Sequence, residues 1–272
     1  MDTGLSGKTV VITGASGGIG QEVARQFASE QANVAAHFCT GQDRATALLE
    51  SLETDRKIVC DADLTIEKQV RSMFDTVESS LGSIDVLVAN AGFWPPEDKP
   101  IYEMTLEQWN RTISVDLTSV FLCVREYLRR VVEQQVQAPA IVMIGSTAGH
   151  FGEAGHGDYA ASKAGLMHGM LKSLKNEIAR VAPRGRINAV CPGWTLTPMA
   201  RKFAADEKAM KRALQTIALR KFGKPGDMAS AIVFLASNQL AGHITGQTLF
   251  VDGGMEGRIL YREEEVDLSE AI

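Results

Sequence analysis

KTVVITGASGGIG, residues 8–20, is the stretch that decides the fold. Its first half, KTVVIT (8–13), is a short run rich in β-branched residues, the composition of a strand that is apolar on both faces. Its second half, TGASGGIG (13–20), sets Gly14, Gly18 and Gly20 between that strand and a helix-prone stretch at 18–30. Glycine lets the chain turn sharply and lets its backbone approach a ligand closely. The helix that follows points unpaired N–H groups and a positive dipole end back at the turn, which suits a diphosphate. The spacing is Gly-x-x-x-Gly-x-Gly rather than Gly-x-Gly-x-x-Gly, and glycines also serve simply to close a strand–helix turn. Its place in the first strand–helix unit lifts this turn above that simpler reading.

The same alternation runs outward along the chain. Further apolar runs are NVAAHF (33–38), KIVC (57–60), IDVLVAN (84–90), AIVMIGS (140–146), RINAVC (186–191) and TLFVD (248–252). Amphipathic or helix-prone stretches at 66–81, 105–135, 159–182 and 226–237 separate them. Strands apolar on both faces and joined by helices predict an α/β fold, a Rossmann-type doubly wound parallel sheet of about seven strands with helices on both faces. No Gly/Ser-rich linker, internal repeat or low-complexity run interrupts the pattern, so residues 1–272 read as a single domain. Two segments stand outside it. Residues 194–216 are helical and fall between the sixth and seventh strands, and 256–272 form an acidic tail that reads as a solvated chain end.

Lys and Arg number 28 against 33 Asp and Glu, a net charge of −5, which argues against a nucleic-acid surface. The four cysteines, Cys39, Cys60, Cys123 and Cys191, form no Cys-x-x-Cys pair and no zinc-ligand spacing with histidine. Free thiols in a reducing compartment are expected, and no metal. The N-terminal segment lacks the apolar core of a secretory signal, and no apolar run is long enough to span a bilayer. A cytoplasmic protein without a membrane partner is expected.

GDYAASKAG, residues 157–165, puts Tyr159 and Lys163 four positions apart, on one face of a helix. A free phenol has a pKa near 10. A positive charge at ~4 Å is worth about 4 kcal/mol at an effective dielectric of 20, and one pKa unit is about 1.4 kcal/mol. A downward shift of roughly one to three units is therefore expected, bringing the phenol toward a pH where proton transfer is efficient.

TGASGGIG, Asp63-Leu64, NAG (90–92), Ser146, YAASK (159–163) and PGWTLT (192–197) occur in this order. On these motifs residues 8–254 resemble the short-chain dehydrogenase/reductase family, most closely its 3-oxoacyl-thioester reductases, including those acting on acyl-carrier protein. Sugar, steroid and polyol dehydrogenases share the same core. The resemblance implies a nicotinamide-dependent oxidoreductase that interconverts a ketone and a secondary alcohol on a small molecule, free or carrier-linked. It makes Ser146, Tyr159 and Lys163 catalytic, with Ser146, Tyr159 and Trp194 toward substrate and Lys163 also on the cofactor's ribose. Gly14, Ser16, Gly18, Ile19 and Gly20 would line the diphosphate. Phe38, Cys39 and Thr40 would meet the adenosine ribose, Asp63 and Leu64 the adenine. Asn90, Ala91 and Gly92 would lie against the adenine ribose, and Pro192, Gly193, Thr195 and Thr197 would hold the carboxamide.

The family's fourth catalytic position is an asparagine, and WNRTISVDLTSVF carries Asp116 there. An ionised aspartate only accepts hydrogen bonds, and its pairing with Lys163 would oppose the pull on Tyr159. An altered pH profile is expected. An acid normally ends the second strand in NAD-using proteins; Phe38 holds that place, so NADP is expected, with NAD the alternative. His37, Thr40 and Arg44 are the candidate phosphate contacts, although Gly17 stands where many NADP-using relatives carry Arg.

The 194–216 segment resembles the family's substrate lid. It offers Trp194, Met199, Phe203 and Met210 beside Arg201, Lys202, Lys208 and Lys211, an apolar mouth ringed by cations. FWPPEDKP (93–100) makes a second wall, stiffened by proline, with His150, Phe151 and His156 as further candidates. The family's habit implies a homotetramer built through 105–135, 159–182 and the last strand. The competing reading is a dinucleotide-binding sensor or scaffold weakened by Asp116.

Overall fold

The computed structural model describes residues 2–271, apart from the side chains of Arg201 and Lys202. In order along the chain run β1 (Thr9–Ile12), α1 (Gly18–Ser29), β2 (Asn33–Phe38), α2 (Gln42–Ser51), β3 (Lys57–Asp61), α3 (Glu67–Leu81) and β4 (Val86–Ala89). Next come α4 (Leu106–Ile113), a π-helical turn at Ser114–Thr118, α5 (Ser119–Glu133), β5 (Ala140–Ile144) and the short α6 (Ala148–Phe151). Then α7 (Gly157–Ala164) passes through a second π turn, Gly165–Met170, into α8 (Leu171–Val181), followed by β6 (Arg186–Pro192). The last elements are α9 (Arg201–Ala204), α10 (Glu207–Leu214), α11 (Pro225–Ala236), α12 (Asn238–Ala241) and β7 (Thr248–Val251).

All seven strands pair in parallel, in the order β3-β2-β1-β4-β5-β6-β7. Every residue of β1, β2, β4, β5 and β6 is buried, which is why these strands read as unbroken apolar runs. One face packs under α3, α5 and α8 around Phe74, Tyr127, Met143 and Leu171. The other packs under α1 and α11 around Phe27, Ile12, Val34 and Ile232. The strand order reverses between β1 and β4, whose ends lie side by side with Ile12 opposite Val88. In such sheets the crevice beyond that reversal is where ligands bind.

Three features differ from the sequence reading. QDRATALLES forms α2, a helix outside the stretches read as helical. The stretches 105–135 and 159–182 are each helical but each is interrupted by a π turn, a wider turn that a 3.6-residue period does not announce. The acidic tail is not a solvated end: Val266 and Ala271 are buried at 7% and 2% exposure against Met210, Leu214, Ile217 and Phe222. Among the described residues no helix is long and apolar enough to cross a membrane.

Arg186 opens β6 and is buried. Its Nη1 and Nη2 donate to the Leu235 and Ala236 carbonyls at 2.6 and 2.9 Å, and its Nε donates to Asn238 Oδ1 at 2.7 Å. These are the last carbonyls of α11, which its own helix cannot satisfy. Arg186→Met keeps the volume but strips both carbonyls of a donor. We expect a loss of about 2–4 kcal/mol, read as a lower urea midpoint at unchanged slope.

Candidate active site

The turn after β1 closes so tightly that its glycines leave no room for side chains. Gly14 has φ +65°, and a Cβ there would lie 2.9 Å from Ala91 Cα. A Cβ on Gly20 would run into the Gly14 carbonyl oxygen. One on Gly18 would lie 2.9 Å from Thr197 Cβ, so the root of the 194–216 segment seats on the glycine turn. Ser16 Oγ donates to the Thr40 carbonyl at 3.3 Å, and Ile19 packs onto the core below.

Two residues fix this turn, one that sequence reasoning passed over and one to which it gave another role. Thr13 Oγ1 accepts from the Asn90 and Ala91 N–H groups, both at 2.9 Å, while Asn90 Nδ2 donates to the Thr13 and Gly14 carbonyls at 2.9 and 3.2 Å. The ends of β1 and β4 are thereby stapled. A hydroxyl residue at the last strand position before the glycines was the available signal. His37 is the second. Its Nδ1 accepts from the Gly14 N–H at 3.0 Å and its Nε2 donates to the Ala62 carbonyl at 2.9 Å. Burial lowers its pKa, so it stays neutral. It is a structural tie rather than the phosphate contact expected from the sequence.

At the end of β2, Phe38 is buried while Cys39 and Thr40 are exposed. The Arg44 guanidinium folds back over Gly41, its carbon 3.0 Å from where a Cβ would sit. Asp63 Oδ1 accepts from the Thr65 N–H and hydroxyl at 2.9 and 2.6 Å, so its carboxylate serves its own turn beside buried Leu64.

Ser146 lies two residues beyond β5, its Oγ accepting from the Ala148 N–H at 3.2 Å. α7 carries Tyr159 and Lys163 to the same end of the sheet. Asp158, wholly buried, anchors that helix: Oδ1 accepts from the Tyr159 N–H at 2.9 Å and Oδ2 from the Thr112 hydroxyl of α4 at 2.7 Å. Lys163, 3% exposed, donates to the Ile144 carbonyl at 3.2 Å and lies 3.4 Å from Asp116 Oδ1 and 5.5 Å from the Tyr159 ring centroid. Asp116 sits in the first π turn. Its Oδ1 also accepts from the Phe93 N–H at 2.9 Å, and its Oδ2 is buried with no partner among the described residues. A Cβ on Gly92 would lie 2.7 Å from Asp116 Oδ1 and 3.1 Å from Lys163 Nζ, so glycine is required there too.

The electrostatics reverse one expectation. Burial pushes the Tyr159 phenol above its ordinary value and the Asp116 carboxylate pushes it further, while the hydrogen bond to Ser146 opposes both. The downward shift expected from Lys163 does not appear: burial dominates, and that ammonium lies 3.4 Å from Asp116. Burial likewise raises the Asp116 pKa, against the pull of Lys163.

On the far wall, the Pro192 carbonyl accepts from Thr147 N–H at 3.0 Å, tying the end of β6 to the loop after Ser146. Gly193 packs where a Cβ would lie 2.7 Å from Asp252 Cβ, and Thr195 Oγ1 donates to the Gly193 carbonyl at 2.9 Å. Trp194 stacks on Phe203 with centroids 4.0 Å apart. Met210 is buried in the lid's own core and does not line a mouth. Lys208 is exposed and Lys211 pairs with Glu207 at 3.1 Å; the side chains of Arg201 and Lys202 lie outside the described residues. In the second wall, Trp94 stacks on buried His156 at 4.7 Å and donates to Glu153. His150 and Phe151 instead join His168 and Phe250 at the β7 edge.

The donor set fits a dinucleotide: an N-terminal helix end for phosphates, an ammonium beside a phenol, and glycines wherever a side chain would close the turn. Fold and site together define a dinucleotide-binding α/β oxidoreductase. A family model described as enoyl-(acyl carrier protein) reductase matches residues 14–256. The 3-oxoacyl-[acyl-carrier-protein] reductase of Staphylococcus epidermidis is 35% identical over 251 residues, covering 91% of this chain and 98% of that protein. Glucose 1-dehydrogenase 2 of Bacillus subtilis is 32% identical over 255 residues, covering 92% and 95%. A crystal structure from Brucella melitensis, described as a short-chain dehydrogenase/reductase of the glucose/ribitol dehydrogenase type, superposes with TM-score 0.84 at 31% identity, covering 94% of this chain and 99% of that one. The chain belongs to the short-chain dehydrogenase/reductase family.

Replacing Asp116 by asparagine removes a charge that raises the Tyr159 pKa and frees Lys163 to face the phenol. Both effects act downward. The Tyr159 phenolate, read as the absorbance difference between variants with Tyr159 and with Phe, is expected to appear at lower pH in Asp116→Asn. An unchanged or higher titration would contradict this account of the site.

Proposed function

We propose that this protein is an NADP-dependent ketone reductase, acting on 3-oxoacyl thioesters. The observation that carries the reading is the convergence of Ser146, Tyr159 and Lys163 at the C-terminal end of the sheet, next to the glycine turn. Gly14, Ser16, Gly18, Ile19 and Gly20 would receive the diphosphate, Asn90–Gly92 and Lys163 the riboses, and Pro192, Gly193, Thr195 and Thr197 the carboxamide. A bound nicotinamide supplies hydride chemistry at the carbonyl carbon. Ser146 donates to the substrate oxygen and holds it at Tyr159. Tyr159 gives its proton to that oxygen as charge develops there. A phenol is protonated at neutral pH, the form that reduction needs, and burial here favours that form further. Lys163 fixes the ring face and balances the phenolate left behind. Trp194 and the 194–216 lid exclude water and contact the rest of the substrate.

The choice of NADP is supported by Phe38 at the end of β2, where no acid repels a 2′-phosphate, and by the Arg44 guanidinium over Gly41. The thioester substrate is supported by the acyl-carrier-protein reductase among the relatives. The sugar dehydrogenase among them favours a second substrate class. The four unpaired cysteines suit a reducing cytoplasm. A homotetramer is supported by two exposed apolar faces: Phe121, Val132 and Val181 beside the α5–α8 groove, and Leu249 and Phe250 on the β7 edge.

Cofactor oxidation on a panel of 3-oxoacyl thioesters, diketones and sugars tests the reading with both cofactors. NADP is expected to be favoured by about tenfold or more in kcat/KM, and Tyr159→Phe to cost roughly 10²–10⁴ in kcat with cofactor affinity retained. A preference for NAD overturns the cofactor assignment. Tight cofactor binding without turnover on any substrate favours the sensor reading. By sedimentation at micromolar concentration the wild type should be a tetramer and Val132→Asp a smaller species; a monomeric wild type contradicts the assembly.

A further inference from the structure

Residues 257–271 lie beyond the 14–256 span that the family model matches. They nevertheless fold back on the lid. Just before them, an isolated antiparallel bridge joins Ile217 to Met255, and the Glu256 N–H donates to the Thr216 carbonyl at 2.9 Å. Leu260 and Tyr261 N–H groups both donate to the Gln215 carbonyl, at 2.7 and 3.2 Å, and Gln215 Nε2 returns a bond to the Tyr261 carbonyl at 3.0 Å. The Tyr261 hydroxyl donates to the Ala218 carbonyl at 3.0 Å, with the Arg220 guanidinium 5.0 Å from its ring centroid. At the end of the segment the Phe222 N–H donates to the Ala271 carbonyl at 3.0 Å. Val266 and Ala271 complete an apolar core with Met210, Leu214 and Phe222 that is separate from the two cores of the sheet.

That small core reaches the cleft wall. Phe222 meets Phe203 edge-on at 5.9 Å, Phe203 stacks on Trp194 at 4.0 Å, and the Gly223 N–H donates to the Trp194 carbonyl at 2.9 Å. Charge favours the same seat. Residues 257–271 hold five acids against two arginines, and residues 207–224 hold six basic residues against one acid. The Ser269 hydroxyl and N–H hold the Asp267 carboxyl below its usual range, and Lys211 adds a smaller pull in the same direction.

We propose that residues 257–271 are an intrachain strap that positions the lid, and through Phe222 and Phe203 positions Trp194, over the cleft. Tyr261 and Val266 are positioning residues in this scheme, since neither touches the Ser146–Tyr159–Lys163 set. The strap rests on the reading of 194–216 as the lid of a dinucleotide-dependent site. Its loss opens the lid, so it weakens binding of cofactor and substrate and leaves the chemical step of a saturated enzyme intact.

The test compares wild type with a chain lacking residues 257–272, and with Tyr261→Phe and Val266→Ala, which keep the fold if the deletion does not. We expect the Kd for NADPH, by its fluorescence, and the KM for the carbonyl substrate to rise about tenfold in the deletion, less in the point variants, at kcat within about threefold. Trypsin should cut after Lys208 and Lys211 correspondingly faster. Unchanged Kd, KM and cleavage overturn the proposal, as does a fall in kcat at constant KM. Should no substrate turn over at all, the reductase reading fails, while the rate of lid cleavage still decides the strap.

Discussion

The site depends on an ammonium taken out of water. Lys163 is almost wholly buried, and a buried cation persists only where acceptors replace its hydration. The Ile144 carbonyl and Asp116 Oδ1 supply them. At 3.4 Å the attraction to Asp116 is about 5 kcal/mol at an effective dielectric of 20, comparable with the several kcal/mol of desolvation that each ion loses. The pair therefore contributes little net stability. What it contributes is position, because its partners come from the end of β5, the π turn before α5, the Gly92–Phe93 loop and α7. Those four pieces cannot move apart without stranding a charge.

The same economy of space governs the cofactor side. The β1 and β4 ends are joined by Thr13 and Asn90, and β1 is joined to β2 and β3 through His37. Backbone approaches this close are open only to glycine at Gly14 and Gly20. A rigid floor follows from packing and hydrogen bonds alone. The segment after β6, by contrast, is held by its own small core rather than by the sheet.

This division explains what was legible in the sequence. The five central strands were readable because burial on both faces demands unbroken apolar runs, and Asn33–Phe38 appears within the limits its sequence suggested. That Ser146, Tyr159 and Lys163 come together was readable from the motif order, because one strand end and one helical turn confine them. The direction of the Tyr159 shift was not. It is set first by burial of the phenol and then by Asp116, which lies 43 residues before Tyr159 in the chain. Spacing within one helix gives no information on that contact. Nor could composition reveal the seat of the tail: its acids suggest solvent, whereas the two apolar residues that fix it, Val266 and Ala271, are scattered among them.

Asp116 also bears on the direction in which the site is poised. With asparagine in its place, the ammonium would act on the phenol without a competing carboxylate and favour its ionised form. With aspartate, both burial and charge favour the neutral phenol, the form that the proposed reduction uses. The unpartnered Oδ2 shows that the carboxylate is not fully satisfied by its surroundings, and its own raised pKa is the expected response to that deficit. On the proposed reductase reading, a buried carboxyl beside Lys163 thus disfavours the phenolate, and with it the reverse, proton-abstracting direction.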